Sequence, residues 1–337
     1  MKALVYTGPK TVELHEVPMP EPKAGQVRVR VSHCGICGGD ISIYGGKHPR
    51  AQAPLIFGHE FIGTIETAAS DKFKVGDRVS PYPLISCGHC DPCRDGTPHV
   101  CKSLKLIGID CDGGAGQYVC CDEDVLFKIP DALSDRAAAV LEPLAVVVRT
   151  LHQAKMQALD TVAITGAGPI GVLTAIVAEA AGASRVIISD VDDSRLALAK
   201  ELGYETINSL KQSLVDYVDE TTNGRGVDVV FECSGAEPCT LDATKICRVS
   251  GTVCITAIYK GPSKVNLQEM NFKEITLVSS RVYTKREYQQ AVEFAVKVAD
   301  KLEKVVTHIV PMEQGMHVFD MIADPSIATV KVLIDCE

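Results

Sequence analysis

The sequence contains no long hydrophobic run, no cluster of basic residues, no internal repeat and no low-complexity segment. Its longest apolar stretch, VLTAIVAEAAGA at 172–183, is interrupted by Glu179. It falls short of the ~20 apolar residues that a membrane-spanning helix needs. The opening MKALVYTGPKTVELHEVP reaches proline, glutamate and histidine before any extended apolar core develops. No secretory leader is therefore expected, and the chain is read as cytoplasmic. Lysine and arginine number 34 against 43 aspartates and glutamates, a formal net charge of −9. That balance provides no electrostatic footprint for nucleic acid or for an anionic membrane.

What is present is a chain of 337 residues, 46% hydrophobic and 23% charged, enough for about two domains. Three textures follow one another. Up to about residue 130, short β-rich runs (QVRVRVSHC, FIGTIETA, DRVSPYPLI, GQYVCC) are broken by Gly, Pro and Asp, which suits a compact all-β unit with long loops. From about 147 to 280, strand-like and helix-like segments alternate: TVAITGAG, an apolar helical run, RVIISD, SRLALAKELG, VDVVFECSG, GTVCITA. Such alternation predicts a parallel sheet with helices on both faces. After 285 come a helical REYQQAVEFAVKVADKL and a last strand, TVKVLID. The apolar strand at 251–259 is read either as an edge that pairs across an interface or as an inner strand.

Fourteen cysteines need a reason other than disulfides in a reducing compartment. CGHCDPCRDGTPHVC sets Cys87, Cys90, Cys93 and Cys101 at spacings of three, three and eight. Four thiolates gathered by one loop satisfy tetrahedral zinc and close the site to substrate. His89 and His99, within the same loop, are read as exposed spacers. A second group of metal-ligand types is dispersed: a cysteine in CGICGGD (34–40), His59 and Glu60 in FGHEFIG, and Glu142 in AAVLEPLAVVV. Catalytic zinc takes about three protein ligands of mixed type, but residues so distant in sequence cannot be shown to meet by spacing alone.

TVAITGAGPIGVLTA places Gly166, Gly168 and Gly171 at GxGxxG spacing between a β-run and a helical run. In that context the glycines allow the tight turn, the backbone's approach to a pyrophosphate and close helix–strand packing, and the helix N-terminus favours the anion. Asp190 ends the next strand nineteen residues past Gly171, where a carboxylate accepts from ribose hydroxyls and repels a 2′-phosphate. NAD is expected over NADP, although Arg195 nearby is a group that can accept a phosphate.

Together, CGICGGD, GHE, the cysteine lobe, DGG…GQYV, EPLAV, GAGPIG and ECSGAE run in the order of the zinc-containing medium-chain dehydrogenase/reductase family, and the chain most resembles its polyol (sorbitol-type) branch. The resemblance implies an α/β fold: a Rossmann-type doubly wound parallel sheet plus a discontinuous GroES-like β-barrel catalytic domain. Boundaries follow at 1–146 for the catalytic domain, 147–282 for the NAD-binding domain and 283–337 for the return to the first. It implies two zinc ions per chain. Cys37, His59, Glu60 and Glu142 provide the catalytic one, with Glu60 and Glu142 as alternatives for the third ligand, and the four lobe cysteines hold the structural one. Asp40 is implied to orient the site through hydrogen bonds. Pro169 and Ile170 complete the nucleotide fingerprint, and Arg195 is implied to pack near the adenine or ribose.

The resemblance further implies hydride transfer to NAD from a secondary hydroxyl of a polyol, sugar alcohol or sugar acid. L-Threonine 3-dehydrogenase-type or butanediol-type activity and a catalytically silent NAD-binding relative are the alternatives. Zinc-free quinone-reductase relatives would lack both cysteine groups. Many relatives carry Ser or Thr where this chain has Gly39 and His where it has Ser42. The proton must then leave through water, Glu142, Ser42 or the cofactor ribose, with His48 as a further candidate. Arg281, in SSRVYT, falls where polyol relatives orient substrate hydroxyls. The alternative is an arginine paired with a carboxylate at the domain boundary. Relatives are dimers or tetramers, so a homo-oligomer is implied.

Overall fold

A computed structural model describes residues 1–67 and 70–337. The chain divides into two compact units, one of Met1–Glu142 with Thr284–Glu337 and one of Pro143–Tyr283. The first boundary falls inside a continuous helix, Leu141–Ala154, so no turn residue marks it in the sequence.

The first unit is built on a seven-stranded sheet whose main order is Leu126–Lys128, Arg78–Pro81, Glu60–Thr67, Gln26–Gly35, Lys331–Asp335 and Val306–Pro311, with Tyr118–Asp122 also pairing Gln26–Gly35. In QVRVRVSHCG the valines at 27, 29 and 31 are buried while Arg28 and Arg30 turn outward, the period of two expected of a strand with one covered face. The C-terminal strand pairs antiparallel with this one, Leu333 opposite Gly35 and Ile334 opposite Cys34. The last residues of the chain are thereby brought beside CGICGGD.

In the second unit six parallel strands run β1 (Thr161–Thr165), β2 (Arg185–Asp190), β3 (Glu205–Asn208), β4 (Val227–Glu232), β5 (Cys247–Ile255) and β6 (Thr276–Ser279). They are ordered β3-β2-β1-β4-β5-β6. Every residue of β4 is buried, as fits a central strand covered on both faces. Ala163, Ile187, Val230 and Val253 belong to a core shared with Leu214, Val218, Ala243 and Ile246. The valines, leucines and isoleucines among them each contribute about 1.5–3 kcal/mol on burial. The apolar strand begun at 251 lies between β4 and β6, so it is an inner strand and the sheet edge is β6. Hydrophobicity alone could not separate these cases, because parallel inner strands and sticky edges are both apolar. Among the described residues no helix is long and apolar enough to cross a membrane.

Candidate metal and nucleotide sites

The strand Gln26–Gly35 ends where CGICGGD begins, and Cys37 then caps a short helix, Gly38–Tyr44. The Cys37 amide donates to Asp40 Oδ2 at 2.8 Å, which fixes the turn that presents the sulfur. Across the sheet Glu60 stands in register with Gly35, and His59 precedes it. One donor atom each from Cys37, His59 and Glu60 lies within 4.8 Å of the others. Glu142 is outside that set. It is buried at the start of its helix, and its charge helps to raise the His59 imidazole.

The cluster is electrostatically unsettled by itself. Burial pushes the Cys37 thiol above its ordinary value, with Glu60 adding to the shift. Burial would lower His59, yet the Cys37 sulfur and Asp40 carry it well above the usual imidazole range. His59 Nδ1 and Asp40 Oδ1 are buried without hydrogen-bond partners, 3.8 Å apart. A half-buried sulfur, a buried imidazole and a buried carboxylate, converging with orphaned polar atoms, fit a divalent cation, which would favour thiolate and neutral imidazole. Zinc, with its mixed sulfur, nitrogen and oxygen preference, suits this donor set.

One functional residue escaped the sequence reading. Lys331, 2% exposed, places its ammonium on Glu60 Oε2 and donates to the Ile36 carbonyl at 2.9 Å. Burial would lower its pKa, but Glu60 holds it raised. The pair explains Gly35: a Cβ there would lie 2.7 Å from Glu60 Oε2 and 2.9 Å from Lys331 Cε. The available signal was a lone lysine inside the apolar strand TVKVLID. Cys34, three residues before Cys37, is fully buried with its thiol pushed far up by burial, unlike a reactive redox partner.

Asp40 is wholly buried, and burial raises its carboxyl while His59 opposes that. Ser42 is half-buried on the same helix. His48 accepts from the Arg50 and Ala51 amides through Nδ1, at 3.3 and 3.2 Å. Burial and then Arg50 lower its pKa. With Nδ1 accepting, the ring proton sits on Nε2, so His48 is arranged to donate a hydrogen bond. Taking up a proton at Nδ1 would sacrifice both backbone bonds. Arg281 belongs to the second unit, is exposed, and has no carboxylate partner among the described residues.

The lobe cysteines converge with Sγ–Sγ separations of 3.4 Å (Cys90–Cys93), 3.7 Å (Cys90–Cys101) and 3.9 Å (Cys87–Cys93). Tetrahedral sulfur around zinc at ~2.3 Å requires ~3.8 Å between sulfurs. Amides of His89 and Cys90 lower the Cys87 thiol to about 5, favouring thiolate. His99 corrects the sequence reading: it is 3% exposed. The single turn Pro98–Val100 rolls its imidazole inward and Val100 outward, which no local hydrophobicity rule anticipates. All cysteines of the chain are free thiols.

In the second unit Gly166 follows β1 at φ +96°, and helix α1 (Pro169–Ala180) starts from Gly168 as N-cap. A Cβ on Gly171 would lie 1.8 Å from the Gly166 carbonyl oxygen, while Gly168 has open space. Pro169 and Ile170 form the first turn of α1. Asp190, at the end of β2, accepts from the Ala167 amide at 2.7 Å through Oδ2 and from Val191 and Asp192 through Oδ1. It therefore braces the glycine turn. Arg195, on helix α2 (Asp193–Glu201), lies 3.9 Å from Asp192.

Two family profiles match the chain: "Alcohol dehydrogenase GroES-like domain" over residues 23–131 and "Zinc-binding dehydrogenase" over 169–297. The chain is 33% identical to 2-dehydro-3-deoxy-L-galactonate 5-dehydrogenase of Pseudoalteromonas atlantica, covering 100% of this chain and 99% of that one. It is 35% identical to a sorbitol dehydrogenase of Halalkalibacterium halodurans, over 91% and 92%. The solved 2R,3R-butanediol dehydrogenase from Bacillus subtilis superposes with a TM-score of 0.92 at 27% identity, over 100% and 99%.

Proposed function

The chain belongs to the zinc-containing medium-chain dehydrogenase/reductase family, in its polyol branch, and from that premise we propose that it oxidises a secondary hydroxyl of a polyol, sugar alcohol or sugar acid with NAD as hydride acceptor. The observation that carries this reading is the convergence of Cys37, His59 and Glu60. Zinc held there would supply Lewis acidity toward a substrate hydroxyl, and NAD would take the hydride. In this reading Cys37, His59 and Glu60 hold the ion and Lys331 anchors Glu60. Asp40 sets the turn that presents Cys37, and Glu142 provides a further carboxylate beside His59. The lobe cysteines hold a second, structural zinc.

Asp190 favours NAD over NADP, since a carboxylate at the ribose repels a 2′-phosphate. Arg281, without a carboxylate partner among the described residues, supports a sugar acid within the proposed substrate class, because a guanidinium binds a carboxylate bidentately. The free cysteines support a reducing, cytoplasmic setting. The outer edge of β6, with Ile258 and Phe272 exposed in the connection from β5 to β6, supports a homo-oligomer. Light scattering on the purified protein reads the subunit count.

The test is NADH formation by purified protein on sorbitol, xylitol, butanediol, aldonates, phosphorylated polyols and L-threonine, with NADP in parallel. A chelator-sensitive signal on an aldonate or polyol is expected. Turnover of L-threonine or butanediol alone would move the substrate class, and turnover with NADP alone would overturn the cofactor assignment. A protein that binds NADH yet turns over nothing would fit the silent relative.

Gly39 offers a further check. A Cβ at this position would meet only His59 Cε1, at 3.6 Å, an ordinary contact. Gly39→Ser therefore fits without displacing the cluster, and it adds a hydroxyl able to carry the substrate proton. The expected outcome is kcat raised by about three- to tenfold with KM changed less, since a positioned proton carrier acts on the chemical step. Unchanged kcat would mean that proton transfer is not limiting.

A further inference from the structure

The nucleotide reading uses the glycine turn and Asp190 but leaves the fully buried carboxylate next to them without a role. Glu232 closes β4 with no exposed surface. In the order β3-β2-β1-β4-β5-β6, β1 and β4 flank the switch point where dinucleotides lie at the carboxyl ends of the strands. Glu232 Oε1 accepts from the Ser234 and Gly235 amides at 2.9 and 3.0 Å, from Thr165 Oγ1 at 3.4 Å and from the Ser234 hydroxyl. Oε2 accepts from the Tyr259 hydroxyl at 2.7 Å. Tyr259 Oη in turn accepts from Thr240 Oγ1 at 2.5 Å, on helix α3 (Glu237–Ile246). Burial pushes the Tyr259 phenol up, and Glu232 adds to the shift, so it remains a donor.

One carboxylate thus ties together the end of β1, the loop after β4, the segment after β5 and helix α3. A buried carboxylate of this kind needs all its donors, and losing one leaves it under-satisfied. The loop it folds presses on the glycine turn: a Cβ on Gly166 would lie 3.0 Å from the Ser234 Cα. Asp190 ends β2, on the opposite side of β1. A dinucleotide with its adenosine ribose at Asp190 and its pyrophosphate at the turn extends toward the β4 side.

We propose that Glu232, latched by Tyr259, is a positioning residue for the nicotinamide half of the cofactor: it holds the 233–235 loop against the glycine turn, while the adenosine half at Asp190 does not depend on it. This inference rests on the nucleotide reading. The test compares NADH, followed by its own fluorescence, with AMP, followed calorimetrically, on wild type, Tyr259→Phe and Thr240→Val. Tyr259→Phe is expected to weaken NADH by about five- to twentyfold with AMP within about twofold. Thr240→Val, acting through the tyrosine, is expected to weaken NADH less and in the same direction, and it carries the test if Tyr259→Phe does not fold. Equal weakening of both ligands would reveal a general structural defect and overturn the proposal, as would NADH binding unchanged in both variants. A wild type that binds neither ligand would instead remove the nucleotide reading itself.

Discussion

Replacing Cys37 by alanine is expected to lower turnover by at least about 10³-fold and to leave one zinc per chain against the two proposed for the wild type. The magnitude follows from the several kcal/mol that a Lewis acid contributes to the reacting oxygen. The residue touches the fold lightly. Cys37 caps the helix Gly38–Tyr44 mainly through its backbone amide, which Asp40 accepts at 2.8 Å, and alanine keeps that bond. Thermal stability should therefore move far less than activity, and the lobe, built from Cys87, Cys90, Cys93 and Cys101, should keep its ion. Metal analysis and steady-state rates on the best substrate of the panel check both parts. Full activity in Cys37→Ala, or two zincs retained, would sink the assignment of this cluster.

Replacing Lys331 by methionine costs the first unit about 3–5 kcal/mol, the range seen when one partner of a buried ion pair is removed. Methionine matches the length of the lysine stem, so packing is kept while Glu60 is left buried without its cation. For a unit of this size the loss corresponds to a fall of about 8–15 °C in the unfolding midpoint. The effect should be largest in chelator, because a bound ion would itself compensate Glu60. The double variant Lys331→Met with Glu60→Gln, measured in chelator, should recover most of the loss, since it removes the orphaned charge as well. An unchanged midpoint for Lys331→Met would mean that the pair contributes nothing to the fold.

The contrast between these two residues shows what could be read in advance. Cys37 was reached through a seven-residue motif and its resemblance to a family. Lys331 meets Glu60 from 271 positions away, and only the pairing of the last strand with Gln26–Gly35 brings them together. The same register accounts for Gly35, whose missing side chain is the space that Glu60 and Lys331 occupy. The misreading of His99, and the two positions the sequence allows for the strand at 251–259, have a related cause. A polar residue in a loop and an apolar residue in a strand carry no local sign of which side the neighbouring elements will cover.

By itself the sequence determined what is local. Four cysteines within fifteen residues can hardly avoid one another, and three glycines between a strand and a helix can form only a few turns. Alternating strands and helices of the observed lengths dictate a parallel sheet. Tertiary structure decided what depends on register and on the return of the chain. That includes the meeting of Cys37, His59 and Glu60, the buried cation behind them, and the knot of hydroxyls and amides around Glu232. Short-range signals act within a turn or two of backbone, whereas these contacts exist only after sheet pairing has converted sequence separation into a few ångströms.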